Sequence, residues 1–185
     1  MTPIEPWCAR CPPAGRSARY GRRRESPREA GCFWIDPATD AEKADTIKVM
    51  GGEDWARWVD ALAARRLLRP GFTTVALSYI GSHLTSQIYR QGTIGAAKAY
   101  LEGTALTIEG VPSGVGGRAL TSVNGAAVTQ ASTAIPGTAL YTSLLRGVLG
   151  GTMQSPIAQA VDMWDQLTGA HEPQLDEEGR LRLDR

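Results

Sequence analysis

Two side chains in the stretch YIGSHLTSQIYRQGTIGAAKAYLE, Tyr79 to Glu102, could act together in proton transfer: Tyr89 and Lys98. A phenol with an ordinary pKa of about 10 is a poor proton donor at neutral pH until its surroundings tune that pKa. A nearby ammonium group favours the phenolate and therefore lowers the pKa. The pair would suit acid catalysis or the stabilisation of an enolate, provided that the fold brings the two groups together.

The spacing of this pair restricts the elements that can hold it. Nine positions along one regular helix turn through roughly 900°, which would leave Tyr89 and Lys98 on opposite faces. The sequence supplies a break, because Gly92 precedes Thr93, a residue type that starts helices well. We therefore predict Tyr89 on a connection and Lys98 in the second turn of a helix that starts at Thr93. Spacing alone still favours an ordinary structural role, since exposed lysines and half-buried tyrosines are common.

Two helices are predicted ahead of this segment. The sequence TDAE, Thr39–Glu42, has the form of a capping box before a helix that ends at Gly51 and Gly52. A second helix carries four apolar side chains on one face, which we expect in the core: Trp55, Trp58, Val59 and Leu62.

Two strands are predicted on either side of the segment that carries Tyr89. The run Thr73–Ile80 follows a Pro-Gly breaker, and its near-continuous hydrophobicity suits a buried parallel strand. A second strand is predicted at Ala119–Val123, followed by helical stretches near residues 140–149 and 157–164. Strands separated by helices predict an α/β fold with a parallel sheet. The polar tail from residue 172 is expected to be a loop, with strand-like alternation at its end.

Composition places the chain among ordinary soluble domains. Its 185 residues are 42% apolar and 21% charged, with a net charge of +1. No apolar run approaches about 18 residues, and the N-terminus lacks the apolar stretch of a secretory signal. We therefore expect a cytoplasmic protein without a membrane span.

Residues 1–34 differ from the rest of the chain. They carry seven arginines, are rich in Pro and Ser, and show no helical or strand period, so we expect disorder. Binding of anions or nucleic acid by this segment is an alternative function that rests on arginine content alone. The three cysteines also lie here, Cys8 and Cys11 as C-x-x-C and Cys32 alone. One such pair cannot complete a tetrahedral zinc site, so no metal is expected.

Two other patterns do not support a catalytic role. GVGGRA, Gly114–Ala119, fits a dinucleotide fingerprint formally, but a Pro-containing loop precedes it and a strand-like run follows it. The fingerprint needs a strand before the glycines and a helix starting within them, so we interpret the motif as a flexible loop. The only histidines, His83 and His171, lie near no nucleophile or ligand pattern, which excludes most Ser/His and Cys/His hydrolase schemes.

Five segments closely resemble the single-chain bacterial NADH-dependent enoyl reductases, which comprise the V-class enoyl-acyl-carrier-protein reductases and the trans-2-enoyl-CoA reductases. The resemblance runs from about Ile35 to the C-terminus, and Tyr-x8-Lys in a GTIG context is specific to that family. The segments are IDPATDAEKADTIKVMGGEDWARWVDAL, VALSYIG, IYRQGTIGAAKAYLE, SVNGAAVTQASTAIPGTALYTSLL and PQLDEEGRLRLD.

The resemblance implies a role for each residue that matches a family motif. Tyr89 would protonate or hydrogen-bond the enolate oxygen that forms once hydride reaches C3 of the enoyl thioester. Lys98 would bind the nicotinamide ribose hydroxyls of NADH and hold positive charge nearby. Tyr79 would contact the substrate near the thioester carbonyl. The stretch after the next strand would line the cofactor: Ala127, Val128 and Thr129.

The resemblance also implies an activity and a fold. The activity is NADH-dependent reduction of the trans-2 double bond of enoyl-CoA or enoyl-acyl-carrier-protein in fatty-acid biosynthesis, by a monomer that binds no nucleic acid. The fold is a Rossmann-type parallel sheet similar to that of short-chain dehydrogenases, with flanking helices. Family members are longer and carry their glycine-rich fingerprint in an N-terminal region that this chain lacks. Gly125 also stands where the family usually has a lysine.

From these departures we expect residues 35–185 to form an incomplete catalytic and substrate part of the reductase domain, without the first βαβ unit. Residues 1–34 would be a separate, non-family segment. An inactive or poorly folded fragment is the alternative, because the strand Thr73–Ile80 would lack neighbours and leave unpaired edges.

Overall fold

Helices on the faces of a small parallel sheet make up the part of the chain that the computed structural model describes, residues 38–109, 116–130 and 136–184. The predicted segment 1–34, with its cysteines, lies outside these ranges. The elements in chain order are α1 (Asp40–Met50), α2 (Glu53–Ala64), β1 (Thr73–Ser78), α3 (Ser86–Tyr89), α4 (Thr93–Glu109), β2 (Arg118–Val123), α5 (Pro136–Leu149), α6 (Pro156–Thr168) and β3 (Leu181–Arg182). No helix in the described ranges combines the length and apolar character needed to cross a membrane.

The first helix begins and ends as predicted. The Glu42 N–H donates to Thr39 Oγ1 over 3.3 Å, and the Thr39 N–H donates to Glu42 Oε2 over 2.9 Å, which completes the capping box. At the other end the Gly51 N–H donates to the Ile47 carbonyl over 2.8 Å. Local hydrogen bonds therefore set both boundaries of α1.

The second helix buries a narrower stripe than predicted. Val59 is 5% exposed, and Trp55 packs beside it while its Nε1–H donates to Thr74 Oγ1 over 2.9 Å. Trp58 is 70% exposed, so its predicted place in the core is wrong. It lies about 100° around the helix from Val59, beyond the stripe that faces the sheet. The other buried members of this cluster come from α4 and β2: Ala105, Ile108 and Ala119.

Three strands form the described sheet in the order β1-β2-β3, all parallel. Parallel neighbours need a crossover, which α3 and α4 supply between β1 and β2, and α5 and α6 between β2 and β3. Strand β2 is central, and its residues from Ala119 to Val123 are buried. The predicted α/β fold with a parallel sheet is confirmed.

Strand β1 departs from its prediction. It ends at Ser78 rather than Ile80, and within the described sheet it pairs with β2 alone. Alternate side chains point to opposite faces, so Thr74 and Ser78 face α2 and α4 while Leu77 points away and is 64% exposed. The expected burial on both faces is therefore wrong in the described structure.

The polar tail is more ordered than a loop. Its strand-like end forms β3, with Leu181 paired to Ser122 and the Leu183 N–H donating to the Val123 carbonyl over 2.9 Å. Leu181 and Leu183 are 0% and 3% exposed. Because these pairings join residues about 60 positions apart, the local pattern of the tail could indicate a strand but not its partner.

Candidate active site

The site lies where β1 and β2 end. Ser78 pairs with Val123 in the parallel register, and the Asn124 N–H donates to the Ser78 carbonyl over 2.9 Å. Strands β1 and β2 therefore leave the sheet side by side. Strand β1 continues into Tyr79, and β2 continues into the loop that follows Asn124. The carboxyl edge of parallel strands is where α/β proteins bind their ligands.

Tyr79 and Tyr89 meet at this edge. Their ring centroids are 4.7 Å apart and the ring planes are 87° apart, an edge-to-face contact that aromatic pairs favour. Tyr89 is the last residue of α3 and is only 7% exposed. The predicted connection is thus a one-turn helix that buries the tyrosine, followed by the predicted break before α4.

Gly81 permits this contact. Its φ of 68° is a backbone conformation that favours glycine. A Cβ added there would lie 2.2 Å from Thr85 Oγ1 and 2.9 Å from a ring carbon of Tyr89. The turn from Tyr79 back towards Tyr89 therefore requires glycine at this position.

Lys98 reaches the same edge from the second turn of α4. Its Nζ donates to Ser78 Oγ over 3.1 Å. Burial lowers the pKa of Lys98 to about 8, with Arg90 adding to the decrease and Glu102 opposing it. Lys98 therefore loses its proton at a lower pH than an ordinary lysine does. Residue types and spacing did not predict the role of Ser78, although it directly precedes Tyr79 in the strand.

The surroundings of Tyr79 favour its protonated form. Burial raises the pKa of Tyr79 well above its ordinary value, and Tyr141, Tyr89 and Asp184 add to the increase. Tyr79 is therefore a neutral phenol at physiological pH, able to donate a hydrogen bond to a carbonyl oxygen.

The pKa of Lys98 has a measurable consequence for stability. Lys98 has an ordinary pKa of 10.5 when unfolded and about 8 when folded. Between these values the unfolded chain binds more protons, so the free energy of unfolding rises with pH, by at most about 1.4 kcal/mol per pH unit from this group. Urea unfolding between about pH 7 and 9.5 should show this rise, and Lys98→Met should flatten it. Above about pH 10, Tyr79 acts in the opposite sense, because it ionises only in the unfolded chain. A parent and a variant with the same slope would contradict the assignment.

A cavity of about 480 Å³ lies next to the loop that follows β2. Ala127 and Val128 line it, whereas Thr129, the third residue predicted to line a cofactor, is exposed and is not among the lining residues. The other walls of the cavity come from α5, the connection that follows it and the residue that caps α6, including Thr142, Ser143, Arg146, Met153 and Ser155. Cavities of this size bind small molecules.

The donors present fit part of a nicotinamide cofactor. Thr142 Oγ1 is buried in the cavity wall and has no hydrogen-bond partner among the described residues. Such a buried hydroxyl can form a hydrogen bond with a polar group that enters the cavity. Lys98 and Ser78 offer an ammonium and a hydroxyl at the sheet edge. These two groups can form hydrogen bonds with the vicinal hydroxyls of a ribose.

Gly125, which stands where a lysine is expected, contacts α6 through its backbone. The Gly125 N–H donates to Gln159 Oε1 over 2.8 Å, and Gln159 is 7% exposed. A Cβ at Gly125 would lie 2.6 Å from Gln159 Nε2. A side chain at position 125 would therefore require the end of the Gln159 side chain to move.

The glycine motif and the two histidines, which the sequence did not support as catalytic, have the following positions. Gly116 and Gly117 lead directly into β2, so a strand rather than a helix follows the glycines, while Gly114 and Val115 lie outside the described residues. His83 is exposed, and His171 Nε2 lies 3.2 Å from Asp162 Oδ1 on α6.

The parallel sheet and a site at the carboxyl ends of its strands define an α/β protein of the Rossmann-like class. The sequence model of the trans-2-enoyl-CoA reductase catalytic region matches residues 24–168. The chain therefore belongs to that family. The match begins at residue 24, within the segment 1–34, and the predicted boundary at residue 34 stays a prediction.

Curated relatives carry consistent names. The chain is 65% identical over 151 residues to an enoyl-[acyl-carrier-protein] reductase [NADH] of Streptomyces avermitilis, covering 82% of this chain and 38% of the relative. It is 48% identical over 153 residues to an enzyme of the same name from Flavobacterium johnsoniae, covering 81% and 39%. The chain thus spans under half the length of the curated relatives it matches.

Solved structures show the same fold. The trans-2-enoyl-CoA reductase of Treponema denticola in complex with NAD superposes with a TM-score of 0.72 at 40% identity, over 80% of this chain and 38% of that one. The trans-2-enoyl-CoA reductase of Clostridium acetobutulicum in complex with NADH gives 0.73 at 40% identity, over the same shares. The resemblance stated from the sequence is confirmed.

Proposed function

We propose that this chain carries catalytic residues for the NADH-dependent reduction of the trans-2 double bond of enoyl thioesters in fatty-acid biosynthesis. The observation that supports this best is the contact between Tyr79 and the buried Tyr89 at the sheet edge where Lys98 contacts Ser78. The names of the relatives support the substrate class, with either CoA or acyl-carrier protein as the thioester carrier.

In this proposal each residue has a role that depends on whether its side chain is neutral or charged. When bound, NADH supplies hydride to C3 of the enoyl thioester. Tyr79, held neutral by burial, donates a hydrogen bond to the thioester carbonyl. Tyr89 stabilises or protonates the enolate oxygen as negative charge develops there. Lys98, oriented by Ser78, binds the ribose hydroxyls and keeps positive charge close to the enolate.

The loop after β2 completes the proposed site. Ala127 and Val128 would contact the cofactor from the cavity wall, and Thr129 would follow them along the loop. Arg146 on α5 offers a cation to a phosphate group at the same cavity. A cytoplasmic monomer that binds no nucleic acid belongs to the same proposal, supported by the resemblance to single-chain reductases.

A second candidate is that the isolated chain does not catalyse. Large apolar side chains on α5 and α6 are open to solvent, among them Leu144 at 61%, Val148 at 84%, Ile157 at 77% and Trp164 at 67%. Exposed apolar surface of this extent marks an unfinished interface. A nucleic-acid role for residues 1–34 concerns residues outside the described ranges and gains no support here.

One experiment separates these candidates. The 185-residue chain is compared with a chimera in which residues 35–185 replace the matching segment of the Streptomyces avermitilis relative. NADH consumption is followed with a short trans-2-enoyl-CoA, and NADH deuterated at the transferring position should place deuterium at C3 of the product. Activity of both proteins supports catalysis by the chain, and activity of the chimera alone supports the second candidate. Loss of activity in both would refute the proposed reaction.

A further inference from the structure

A carboxylate on α4 joins two arginines from different parts of the chain. Glu102 Oε1 lies 2.7 Å from Arg90 Nη1 and 3.4 Å from Arg180 Nη1, and its Oε2 lies 3.3 Å from Arg90 Nη2. The Glu102 side chain is 19% exposed and that of Arg180 only 8%. A two-point Arg–carboxylate contact in a partly buried place fixes orientation as well as distance.

Arg90 connects this carboxylate to the catalytic tyrosine. It directly follows Tyr89, and the N–H groups of Arg90 and Gln91 both donate to the Ser86 carbonyl, over 2.8 and 3.0 Å. These two hydrogen bonds close the single turn of α3. A helix of four residues has little stability of its own, so its geometry depends on tertiary contacts such as the Arg90–Glu102 pair.

Arg180 contacts the same oxygen of Glu102 that Arg90 Nη1 contacts. Its Nε donates to Asp176 Oδ2 over 2.8 Å, and its Nη2 donates to Glu178 Oε2 over 2.9 Å. The Arg180 guanidinium is therefore fixed by the tail before it contacts Glu102. The carboxylate consequently has a defined position, and through it Arg90 has one too.

We propose that Glu102 is a positioning residue that fixes Tyr89 against Tyr79 through its contact with Arg90. The inference rests on the proposed function, since it gives Tyr89 its purpose. It adds Glu102, a residue of α4, to a pair of tyrosines that both precede that helix in the chain. Nothing in the spacing of the Tyr89–Lys98 pair points to it.

The same ion pair acts on the ammonium group of the site. Glu102 lies one helical turn after Lys98, and its charge favours the protonated form, while the charge of Arg90 disfavours it. From β1, the uncharged Ser78 hydroxyl contacts Lys98. Glu102→Gln should therefore lower the pKa of Lys98 and Arg90→Gln should raise it, although both changes break the same contact.

Hydrogen exchange on the full chain tests the positioning without any need for activity. In Glu102→Gln and in Arg90→Gln, the amides of Arg90 and Gln91 should exchange about tenfold faster, because a charged hydrogen bond is lost. The matched control is Glu53→Gln, which breaks an exposed ion pair with Arg57 on α2 and should leave both amides unchanged. Protection of β2 should persist in all three variants, which shows that the fold is intact. Unchanged exchange of Arg90 and Gln91 in Glu102→Gln would overturn the proposal.

Kinetics of the active protein supply the second readout. Both variants should lower kcat about tenfold with a smaller effect on KM for NADH. The alkaline limb of the pH–rate profile should move to lower pH in Glu102→Gln and to higher pH in Arg90→Gln. If the alkaline limb moved in the same direction in both variants, that result would contradict the role assigned to the Arg90–Glu102 ion pair. If neither the 185-residue chain nor the chimera reduces enoyl thioesters, the proposed function fails, and hydrogen exchange still decides whether Glu102 positions Tyr89.

Discussion

Tyr89→Phe is expected to lower kcat for enoyl reduction by about 10³-fold, the range in which a positioned proton donor operates. The variant loses only the phenolic oxygen and keeps the ring that packs edge-to-face on Tyr79. The free energy of unfolding should therefore change by about 1 kcal/mol or less. Steady-state kinetics of the chimera with NADH and a short enoyl-CoA, together with thermal unfolding, measure both quantities.

The control for this variant is Tyr100→Phe. Tyr100 lies on α4 two residues after Lys98 but is 48% exposed. Removal of its phenolic oxygen should leave kcat unchanged. Equal rates for the parent and Tyr89→Phe would remove Tyr89 from the mechanism, whatever its position in the structure.

Gly95→Ala is expected to destabilise the protein by about 3 kcal/mol, a large effect for one methyl group. A Cβ at Gly95 would lie 2.3 Å from the carbonyl carbon of Arg90 and 2.6 Å from its oxygen. Because these atoms belong to the backbone, they can move only if the end of α3 moves away from α4. The shift would also displace Tyr89, so kcat should decrease together with stability.

The same substitution eight residues later should act in the opposite sense. Gly103 lies in α4 as well, and a Cβ there would meet nothing within 4 Å. Gly103→Ala should stabilise the protein by roughly 0.5–1 kcal/mol through helix propensity alone. Urea unfolding of the two variants separates steric contact from propensity. A Gly95→Ala variant as stable as the parent would show that α3 and α4 are not in contact as described.

Local chemistry explains which parts of the fold could be predicted. The capping box at Thr39, the helix end at Gly51 and the restart of helix at Thr93 depend on residues within about four positions of one another. Such features are present in the sequence before any tertiary contact forms. The exposure of Trp58 and the edge position of β1 depend on which elements cover them, and no local pattern contains that information.

The candidate site also has a part that the sequence indicated and a part that only the structure shows. The resemblance predicts site roles for Tyr89, Lys98 and Tyr79, and these roles stay predictions. The structure brings the two tyrosines into contact. Ser78 lies 20 positions from Lys98, and Glu102 lies 78 positions from Arg180, so these contacts could be found only in three dimensions. The cofactor roles of residues 127–129 stay predictions.

The hydrogen bond between Lys98 and Ser78 has a property that a carboxylate partner would not provide. A hydroxyl can both donate and accept, and so can a neutral amine. When Lys98 loses its proton near pH 8, the Ser78 O–H can rotate and become the donor, while the two heavy atoms stay about 3.1 Å apart. The contact therefore reverses its polarity without breaking. The hydrogen bond that orients the Lys98 amine can therefore persist whether the amine is charged or neutral. A threonine at position 78 would preserve this hydrogen bond, and an alanine would abolish it.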